Sequence, residues 1–455
     1  MCDLRSFIAT ARREKPKEVV DIYREVSPRY ETAAILTKFE HSYRSPLLVF
    51  HRVAGCNFPL VNNVCGSLSR LALALNCAPR ELSDCYASRC QHPIKPEARR
   101  DGAVQEVVVR GRDLDLSSLP QLIYHEHDAP RAYITAAIVA ARDPESKTTN
   151  LSYHRLMVTG TNTTGIFMAR GKHLETIYRK YESAGQAMPI AAFIGVHPTC
   201  SLGAVYTGPA EVEEYDIIGG LQGSPLGVVR CVSYPELMVP ADAEMVLEGV
   251  VSPHERVEEG PFGEFTGYAT GTTSTPVFHV EAITHRNQPI FQDIASGHME
   301  HLILPVLGME HHLLSVARTV VPGCLRVKME VPLTAISVLK KTDDSQPRQI
   351  IEALLDADVY VKHVIVVDAD VDPSDLRQVS TAVALHVQPD RDVLIYKERL
   401  GTELDPSCPS PDGLTSKMGI DATKPISLSR PIVRNTVPRM LLDAIDLAEF
   451  LKKPN

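Results

Sequence analysis

The sequence contains no tryptophan, no C-x-x-C pair and no run that approaches eighteen apolar residues. Because such a run is missing, we expect no transmembrane helix. The N-terminus carries Asp3 and Arg5 in place of an apolar segment, so we also expect no signal peptide. The ten cysteines then predict reduced thiols in a cytoplasmic protein, and their spacing does not match a thiolate zinc site.

Several ligand-binding signatures are missing as well. The net charge of -9 and the dispersed basic residues predict no nucleic-acid partner and no anionic membrane partner. No G-x-G-x-x-G motif follows a strand, and no G-x-S-x-G motif is present. Residues 165–172 end in Gly-Lys, but His173 stands where a phosphate-binding loop needs Ser or Thr. These absences argue against a P-loop enzyme and against a hydrolase of the nucleophile-elbow type.

The 455 residues, 44% hydrophobic and 23% charged, predict a soluble globular protein of two or three domains. Residues 1–115 mix helix and strand patterns. Short apolar runs separated by Gly, Pro, Thr and Asn fill residues 116–305 and predict a β-rich barrel. Helix and strand alternate in residues 306–455, which predicts βαβ units. The predicted fold class is therefore α/β (α+β), with a central barrel between two α/β domains.

Apolar spacing and end signals place the individual elements. The predicted helices are 4–11 with Asp3 as cap, 67–78, 173–183, 212–221, 346–357, 373–385 and 437–451. The predicted strands are 47–50, 107–109, 132–141, 156–160, 165–169, 190–196, 227–232, 277–283, 361–368 and 393–396. Residues 404–425 are rich in Pro, Ser, Asp and Gly and predict an extended loop. The last predicted helix could dock on a partner subunit.

The segment 256–271 contains two acids, Glu259 and Glu264, on either side of a Gly-Pro-Phe-Gly turn. Gly and Pro constrain the backbone, so we expect neither a regular helix nor a central strand here. Acids that are held close together perturb each other's pKa and are a common source of general acid/base chemistry. A surface turn with two solvated glutamates is the alternative interpretation.

Three other polar clusters allow two interpretations each. The His-Glu-His-Asp run 125–128 could bind a metal, but a loop before Pro130 favours a structural or substrate-facing role. The adjacent histidines of 309–312 would not converge on a helix. The aspartates of 368–372 alternate like carboxylate ligands, but Asp372 before Pro373 favours a helix cap.

The segment 148–155 joins two apolar strands. If it continues as a strand, Asn150, Ser152 and His154 lie on one face and Arg155 on the other, whereas a bulge or turn would change this arrangement. A buried arginine needs an anionic partner, and the two turn glutamates are the natural candidates.

These segments resemble the UbiD-like decarboxylases. The resemblance is carried, in the family's order and over about 128–425, by Asn150-x-Ser152-x-x-Arg155, 239–249, the turn 259–264, 404–407 and 419–425. It implies a flavin-reductase-like split β-barrel (116–305) between an N-terminal α/β domain (1–115) and a C-terminal α/β oligomerisation domain (306–455). It also implies prenylated FMN as the cofactor, and reversible non-oxidative decarboxylation of an α,β-unsaturated or (hetero)aromatic acid.

The resemblance further implies roles for individual residues. Arg155, Glu259 and Glu264 would form the catalytic network. Asn150, His173 and Glu214 would hold Mn²⁺ or Mg²⁺ against the cofactor phosphate, and Thr148, Ala204, Tyr206 and Glu214 would border a K⁺ site. The other implied cofactor contacts are Ser152, His154, Lys172 and Lys340, with Lys341 as the alternative to Lys340.

Chemistry supports this assignment independently. Loss of CO₂ from an sp² carbon leaves a carbanion that no side chain can delocalise, so a cofactor must act as electron sink. One imidazole with amide and carboxylate oxygens suits Mn²⁺ or Mg²⁺. Arg155 can orient a substrate carboxylate through forked hydrogen bonds. We expect Glu264 to donate the proton to the substrate carbon and Glu259 to position Arg155.

The substrate and partners are predicted less sharply. His298 and His301 are expected at the pocket opening, where they could recognise a polar or second carboxylate group of a heteroaromatic acid. They could equally have no specific role, and an alkenyl acid stays open. The expected partners are the acid, CO₂, a flavin prenyltransferase as cofactor supplier, and a second copy in a homodimer or higher oligomer. The rival hypotheses are an FMN-dependent oxidoreductase and a non-catalytic flavin-binding protein.

Overall fold

The computed structural model describes residues 2–408, 413–426, 435 and 437–451. Within them the helices are α1 Leu4–Glu14, α2 Glu31–Glu40, α3 Leu68–Ala74, α4 Leu82–Cys90, α5 His173–Ser183, α6 Pro198–Ala204, α7 Glu214–Gln222, α8 Met299–Val320, α9 Gln346–Ala357, α10 Leu376–His386, α11 Pro389–Asp392, α12 Arg439–Ala444 and α13 Leu447–Phe450.

The strands of the same residues build four sheets. They are β1 Val19–Ile22, β2 Leu47–Phe50, β3 Leu60–Asn62, β4 Glu97–Ala98, β5 Val107–Arg110, β6 Tyr133–Ile134, β7 Ile138–Arg142, β8 Thr149–Tyr153, β9 Leu156–Val158, β10 Thr163–Ile166, β11 Met188–Ile194, β12 Gly227–Arg230, β13 Met238–Pro240, β14 Met245–Glu259, β15 Thr273–His285, β16 Phe291–Asp293, β17 Cys324–Val331, β18 Thr334–Leu339, β19 His363–Asp368, β20 Val393–Leu400 and β21 Leu414–Ala422.

Local signals set several helices where the sequence predicts them. α1 begins after Asp3, whose carboxylate accepts the N–H of Ser6 at 2.8 Å while the Ser6 hydroxyl accepts the N–H of Asp3 at 3.1 Å. α5 and α9 have the predicted bounds. α3 ends at Ala74, four residues before the predicted end. The cap of α10 is Asp375, which accepts two backbone N–H groups, so the prediction of Asp372 as the cap was wrong.

A curled antiparallel sheet forms the centre of this mixed α/β protein. Its strand order is β6-β9-β10-β15-β14-β11-β7-β8, with β5 paired to β15. The predicted β-rich centre is confirmed, but the prediction excluded a central strand over 256–271. β14 continues to Glu259, and residues 256–259 pair with 273–276 of β15. The long partner strand supplies the backbone ladder, and for this reason these charged residues remain in the sheet.

The C-terminal sheet has the order β17-β18-β19-β21-β20, with β18, β19 and β21 parallel. The predicted alternation of helix and strand is confirmed here. The predicted loop 404–425 was wrong, because its second half forms β21 between β19 and β20. β21 carries buried polar residues such as Lys417, so tertiary pairing and not an apolar pattern makes it a strand.

α8 joins the central sheet to the C-terminal sheet. It has 22 residues, or about 33 Å of length, and carries His311 and His312 as the sequence predicts. A side chain at Gly308 would collide with the carbonyl of Val205, so the small residue lets α8 approach the end of α6 closely.

The predicted helix 437–451 is instead two short helices, α12 and α13, separated by Ile445 and Asp446. Large apolar side chains of this segment, including Met440 and Leu441, are exposed. The nine cysteines between residues 2 and 324 carry free thiols. Of the helices in the described residues, none combines the length and hydropathy that a membrane span requires.

Candidate active site

The Gly-Pro-Phe-Gly turn folds back on itself. Thr270 N–H donates to the Phe262 carbonyl at 2.8 Å, and Glu264 N–H donates to the Tyr268 carbonyl at 2.9 Å. Gly260 has φ of +93°, a conformation that a residue with a Cβ rarely adopts. Glu259 and Glu264 are 0% and 5% exposed. The alternative of two solvated surface glutamates is therefore excluded.

Arg155 lies directly between these two acids. β8 ends at Tyr153, so Arg155 lies in the connection to β9. Its Nε and Nη2 donate to the two carboxylate oxygens of Glu259 at 2.9 and 2.8 Å, and its Nη1 donates to Glu264. Burial opposes the charge, but the carboxylates of Glu264 and Glu259 outweigh it and raise the pKa of Arg155. The predicted pairing of Arg155 with the two acids is confirmed.

Two aromatic rings pack against the guanidinium of Arg155. Its carbon lies 4.0 Å from the ring centre of Phe167 and 5.0 Å from that of Phe262. The ring of Tyr133 packs on Phe262 with the centres 4.2 Å apart. Sequence reasoning missed these residues; the only signal was the place of Phe262 inside the turn.

The histidine-rich run 125–128 holds the turn in place through the hydrogen bonds of Asp128. Asp128 accepts the N–H of Gly263 and the N–H of His125, each at 2.8 Å. Burial opposes its charge, but bonds from His125 and Gly263 prevail and lower the pKa of Asp128. A side chain at Gly263 would collide with the His125 imidazole. In the described part of the chain, no three His, Cys, Asp or Glu side chains are grouped to hold a metal. Asp128 therefore has a structural role in this run.

The polar face of β8 has the predicted arrangement. The Ser152 hydroxyl lies 3.1 Å from Asn150 Oδ1 and 2.8 Å from His154 Nε2. His154 Nδ1 lies 2.8 Å from the Phe167 carbonyl, which can only accept, so Nδ1 carries the proton. Burial lowers the pKa of His154 to about 4, and the ring is neutral.

Glu214, the first residue of α7, extends the face of β8. It accepts from Asn150 Nδ2 at 3.1 Å and from Leu151 N–H at 2.9 Å. Burial raises its pKa to about 8, so this carboxylate lacks enough positive charge nearby. A cation would supply that charge, and Asn150 and Glu214 offer it oxygen ligands. Among the described residues, His173 makes no hydrogen bond to either of them.

Of the residues expected to border a K⁺ site, Tyr206 lies near the same carboxylate. Ala204 ends α6, which packs against α7 and β8. Tyr206 lies close enough to Glu214 for that acid to add to the burial that raises the pKa of Tyr206. The carbonyl of Thr148 already accepts the N–H of Asp143 at 2.9 Å.

The lysines expected to contact the cofactor, Lys172 and Lys340, lie in different places. Lys172 Nζ donates to Asp358 at 2.8 Å and lies 4.7 Å from the ring centre of Tyr360. Lys340 follows the carboxyl end of β18, and six residues, about 20 Å, separate it from the edge that carries Tyr360. Lys341 is bound to Thr423 and Asp344.

The two expected substrate histidines differ in their partners. His298 Nδ1 lies 2.8 Å from Glu40, which also accepts the N–H of Met299 at 2.9 Å. His301 faces Glu264, with Nε2 and Oε2 3.9 Å apart. The N–H of Gly297 donates to His301 Nδ1 at 3.3 Å, so the neutral ring carries its proton on Nε2. Burial lowers the pKa of His301, which favours this neutral form.

The central sheet thus carries a buried cluster of one arginine and two carboxylates, an arrangement that suits acid/base chemistry. The chain belongs to the 3-octaprenyl-4-hydroxybenzoate carboxy-lyase (UbiD) family, and it is a UbiD-like carboxy-lyase. The N-terminal domain of that family matches residues 10–88, its Rift-related domain matches 96–299, and its C-terminal domain matches 307–422.

Similar proteins cover nearly the whole chain. The anhydromevalonate phosphate decarboxylase of Methanothermobacter thermautotrophicus is 30% identical over 92% of this chain and 97% of its own. The phenolic acid decarboxylase of Streptomyces sp. (strain D7) is 31% identical over 98% and 97%.

Two solved structures of one further protein match the fold. The UbiD-class enzyme HmfF from Pelotomaculum thermopropionicum in complex with FMN is 36% identical, with a TM-score of 0.89 over 99% of this chain and 100% of that one. An evolved dimeric form of HmfF in complex with prFMN is 34% identical, with a TM-score of 0.87 over 99% and 100%.

Proposed function

We propose that this chain catalyses the reversible, non-oxidative decarboxylation of an α,β-unsaturated or (hetero)aromatic carboxylic acid with prenylated FMN. The observation that carries the proposal is the buried cluster of Arg155, Glu259 and Glu264. In this reading the central sheet is a flavin-reductase-like split β-barrel (116–305). The flanking parts, 1–115 and 306–455, are an N-terminal α/β domain and a C-terminal oligomerisation domain.

Each member of the cluster takes a distinct role. Glu259 uses both carboxylate oxygens on Arg155, so it positions the guanidinium. Arg155 in turn orients the substrate carboxylate. Glu264 spends one oxygen on Arg155, while the other, Oε2, faces His301 and the N–H of Phe265. Glu264 is therefore the acid that donates a proton to the carbon from which CO₂ departs.

Prenylated FMN would supply the electron sink for the carbanion that CO₂ leaves behind. Similarity to HmfF, solved with FMN and with prFMN, supports this cofactor. Asn150, Ser152 and His154 form one polar face. A cation held at this face would bind the phosphate of the cofactor. Asn150 and Glu214, with His173, would hold Mn²⁺ or Mg²⁺, and the raised pKa of Glu214 supports a cation there. Thr148, Ala204, Tyr206 and Glu214 would border K⁺.

The lysines are part of the same proposal, with Lys340 or Lys341 as the phosphate contact and Lys172 as a further cofactor contact. Lys340 is the candidate whose ammonium has no partner in the described residues, whereas Lys341 is engaged by Thr423 and Asp344. Lys172 reaches the site edge but is paired with Asp358. Lys172 can therefore contact the cofactor only while it shares its charge with that carboxylate.

The position of His301, which faces Glu264, narrows the range of possible substrates. His301 offers a neutral N–H donor beside Glu264, which favours an acid with a hydrogen-bond acceptor in or on its ring. His298 is held by Glu40 and is the second candidate contact. The relatives act on acids as different as anhydromevalonate phosphate and phenolic acids, so similarity leaves the individual acid open.

Assembly and supply complete the proposal. A flavin prenyltransferase would provide the cofactor. Exposed Met440, Leu441 and Phe450 offer an apolar surface for a second copy of the chain, and a dimeric form of HmfF supports a homodimer or higher oligomer.

The experiment is CO₂ release from a panel of unsaturated and heteroaromatic acids by protein co-expressed with a flavin prenyltransferase. Glu264→Gln removes the proton donor and should lower the rate about 100-fold or more. Glu258→Gln, an exposed neighbour on β14, is the matched control and should keep full activity. No CO₂ from any acid, or full activity in Glu264→Gln, would refute the proposal.

A further inference from the structure

A tyrosine of the C-terminal sheet reaches the candidate active site. Tyr360 lies in the loop 358–362, which precedes β19. Its ring meets Phe265 edge-to-face with the centres 5.9 Å apart, and Phe265 meets His301 in the same way at 6.0 Å. Phe265 directly follows Glu264. The loop before β19 therefore brings an aromatic ring close to Glu264, on the same phenylalanine that His301 contacts.

The Tyr360 hydroxyl is available to a ligand. It makes no hydrogen bond to any side chain or backbone group among the described residues, although the ring is largely covered. Burial raises the pKa of Tyr360, and the negative charges of Asp358 and Glu264 add to the effect, which places the phenol within the electrostatic reach of the acid. The hydroxyl is not fully enclosed, so it is accessible to a ligand beside Phe265.

Asp358, the first residue of the loop that carries Tyr360, is held at both its side-chain carboxylate and its backbone carbonyl. The Asp358 carboxylate accepts from Lys172 Nζ at 2.8 Å and from the Tyr360 N–H at 2.9 Å. Buried Lys417 donates to the carbonyl of Leu355 at 2.6 Å and to that of Asp358 at 3.3 Å. Because Lys172 belongs to the central part of the chain, its ion pair with Asp358 joins the two sheets beside the site.

We propose that Tyr360 is a substrate-positioning residue whose hydroxyl donates a hydrogen bond to the bound acid, and that the Lys172–Asp358 ion pair holds it in place. The proposal rests on the proposed function. It assigns to the C-terminal sheet a part in substrate recognition, and it favours acids with an acceptor oxygen on the side that faces Phe265.

Tyr360→Phe tests the hydroxyl while keeping the ring between Phe265 and Lys172. In the cofactor-loaded full chain, KM for the acid that the wild type decarboxylates should rise about tenfold, and kcat should change much less. Tyr396→Phe is the matched control, since the Tyr396 hydroxyl binds Glu352 and its strand β20 lies two strands away from β19. An unchanged KM in Tyr360→Phe would overturn the proposal.

A binding measurement separates this proposal from the proposed function. Calorimetric titration of the full chain with benzoate requires no turnover, and Tyr360→Phe should bind it about tenfold more weakly than wild type. If the wild type releases no CO₂ but Tyr360→Phe still binds benzoate more weakly than the wild type does, only the proposed function is refuted. If the wild type and Tyr360→Phe bind benzoate equally tightly, the proposed role of Tyr360 is refuted.

Asp358→Asn tests the ion pair, because Asn keeps an acceptor for the Tyr360 N–H and removes only the charge that faces Lys172. Amides of 358–362 should exchange with deuterium faster, and KM should rise as in Tyr360→Phe. Asp356→Asn is the control; Asp356 pairs with Arg399 on the exposed side of the same helix end. Unchanged exchange and unchanged KM in Asp358→Asn would show that the ion pair does not hold the loop.

Discussion

Arg155 and Glu259 lie 104 positions apart in the sequence and are joined by two parallel hydrogen bonds of 2.9 and 2.8 Å. Both side chains are almost fully buried. A buried charge is tolerable only with its partner in place, because the partner replaces the water that burial removes.

Removing Arg155 should therefore cost stability as well as activity. We expect Arg155→Met to lower the free energy of unfolding by about 3 kcal/mol, because it leaves two buried carboxylates uncompensated. The double variant Arg155→Met/Glu259→Gln should recover part of this loss. Urea denaturation measures both values. Arg52→Met, which breaks an exposed pair with Glu25, is the control and should change stability by less than about 1 kcal/mol. Fully additive losses in the double variant would contradict the pairing argument.

A substitution at Gly263 tests whether the loop 125–128 holds the turn in place. In Gly263→Ala the new methyl group would collide with the His125 imidazole, so the turn must move and carry Glu264 with it. We expect CO₂ release to fall about 100-fold, since small displacements of a catalytic group are costly. Gly271→Ala places its methyl group in open space at the other end of the turn and should keep activity. Equal activity in the two variants would show that the turn tolerates the shift.

Glu214 should make stability depend on pH. Its folded pKa of about 8 lies above the ordinary value of 4.5, so its protonated form favours folding. This contribution is complete below about pH 4.5 and is lost as the pH rises toward 8. Tm of the metal-free wild type should fall over this window more steeply than Tm of Glu214→Gln.

Added Mn²⁺ should reverse that loss. At pH 8 it should raise Tm of the wild type but not that of Glu214→Gln, because only the carboxylate gains a counter-charge. Glu211→Gln, an exposed acid shortly before α7, should behave as wild type. Parallel pH curves for wild type and Glu214→Gln would contradict this account of the buried acid.

Glu40 links the N-terminal part of the chain to His298. Burial opposes its charge, but hydrogen bonds from His298 and from the Met299 N–H prevail and lower the pKa of Glu40. The resulting stabilisation is present above the ordinary pKa of 4.5 and is lost as the pH falls below it. We expect Glu40→Gln to reduce stability by about 1 kcal/mol at pH 7 and by much less near pH 3.5.

Thermal melts of both proteins across this range measure the difference. The same comparison with Glu81→Gln, an exposed glutamate, should give none. A difference between wild type and Glu40→Gln that persists at pH 3.5 would point to packing and not to charge.

The local sequence was sufficient for several elements. Asp3 and Ser6 form a capping box from neighbouring residues alone, and the apolar spacing of 346–357 sets α9 without help from distant strands. The pairing of Arg155 with Glu259 and Glu264 was also predictable, because a buried guanidinium demands acids and few candidates flank a constrained turn.

Other parts of the site required the tertiary structure. Nothing in the run 125–128 states that Asp128 holds the turn by the N–H of Gly263, since the two are 135 positions apart. The predicted metal contact of His173 and the phosphate contact of Lys340 stay predictions, and the strand direction of β18 places Lys340 away from Tyr360. The loop 358–362 carries no motif, so its arrival beside Glu264 could not be read from its residues.

By itself, the sequence determined helices such as α1, α5 and α9 and showed which family's motifs the arginine and the acids follow, because caps, periodicity and turn chemistry act between near neighbours. Only the tertiary structure decided that β21 is a strand, that Asp128 binds the turn at Gly263 and that Tyr360 packs on Phe265 beside the site. Those outcomes depend on backbone pairing and burial between distant segments, and such energies exist only once the sheets have come together.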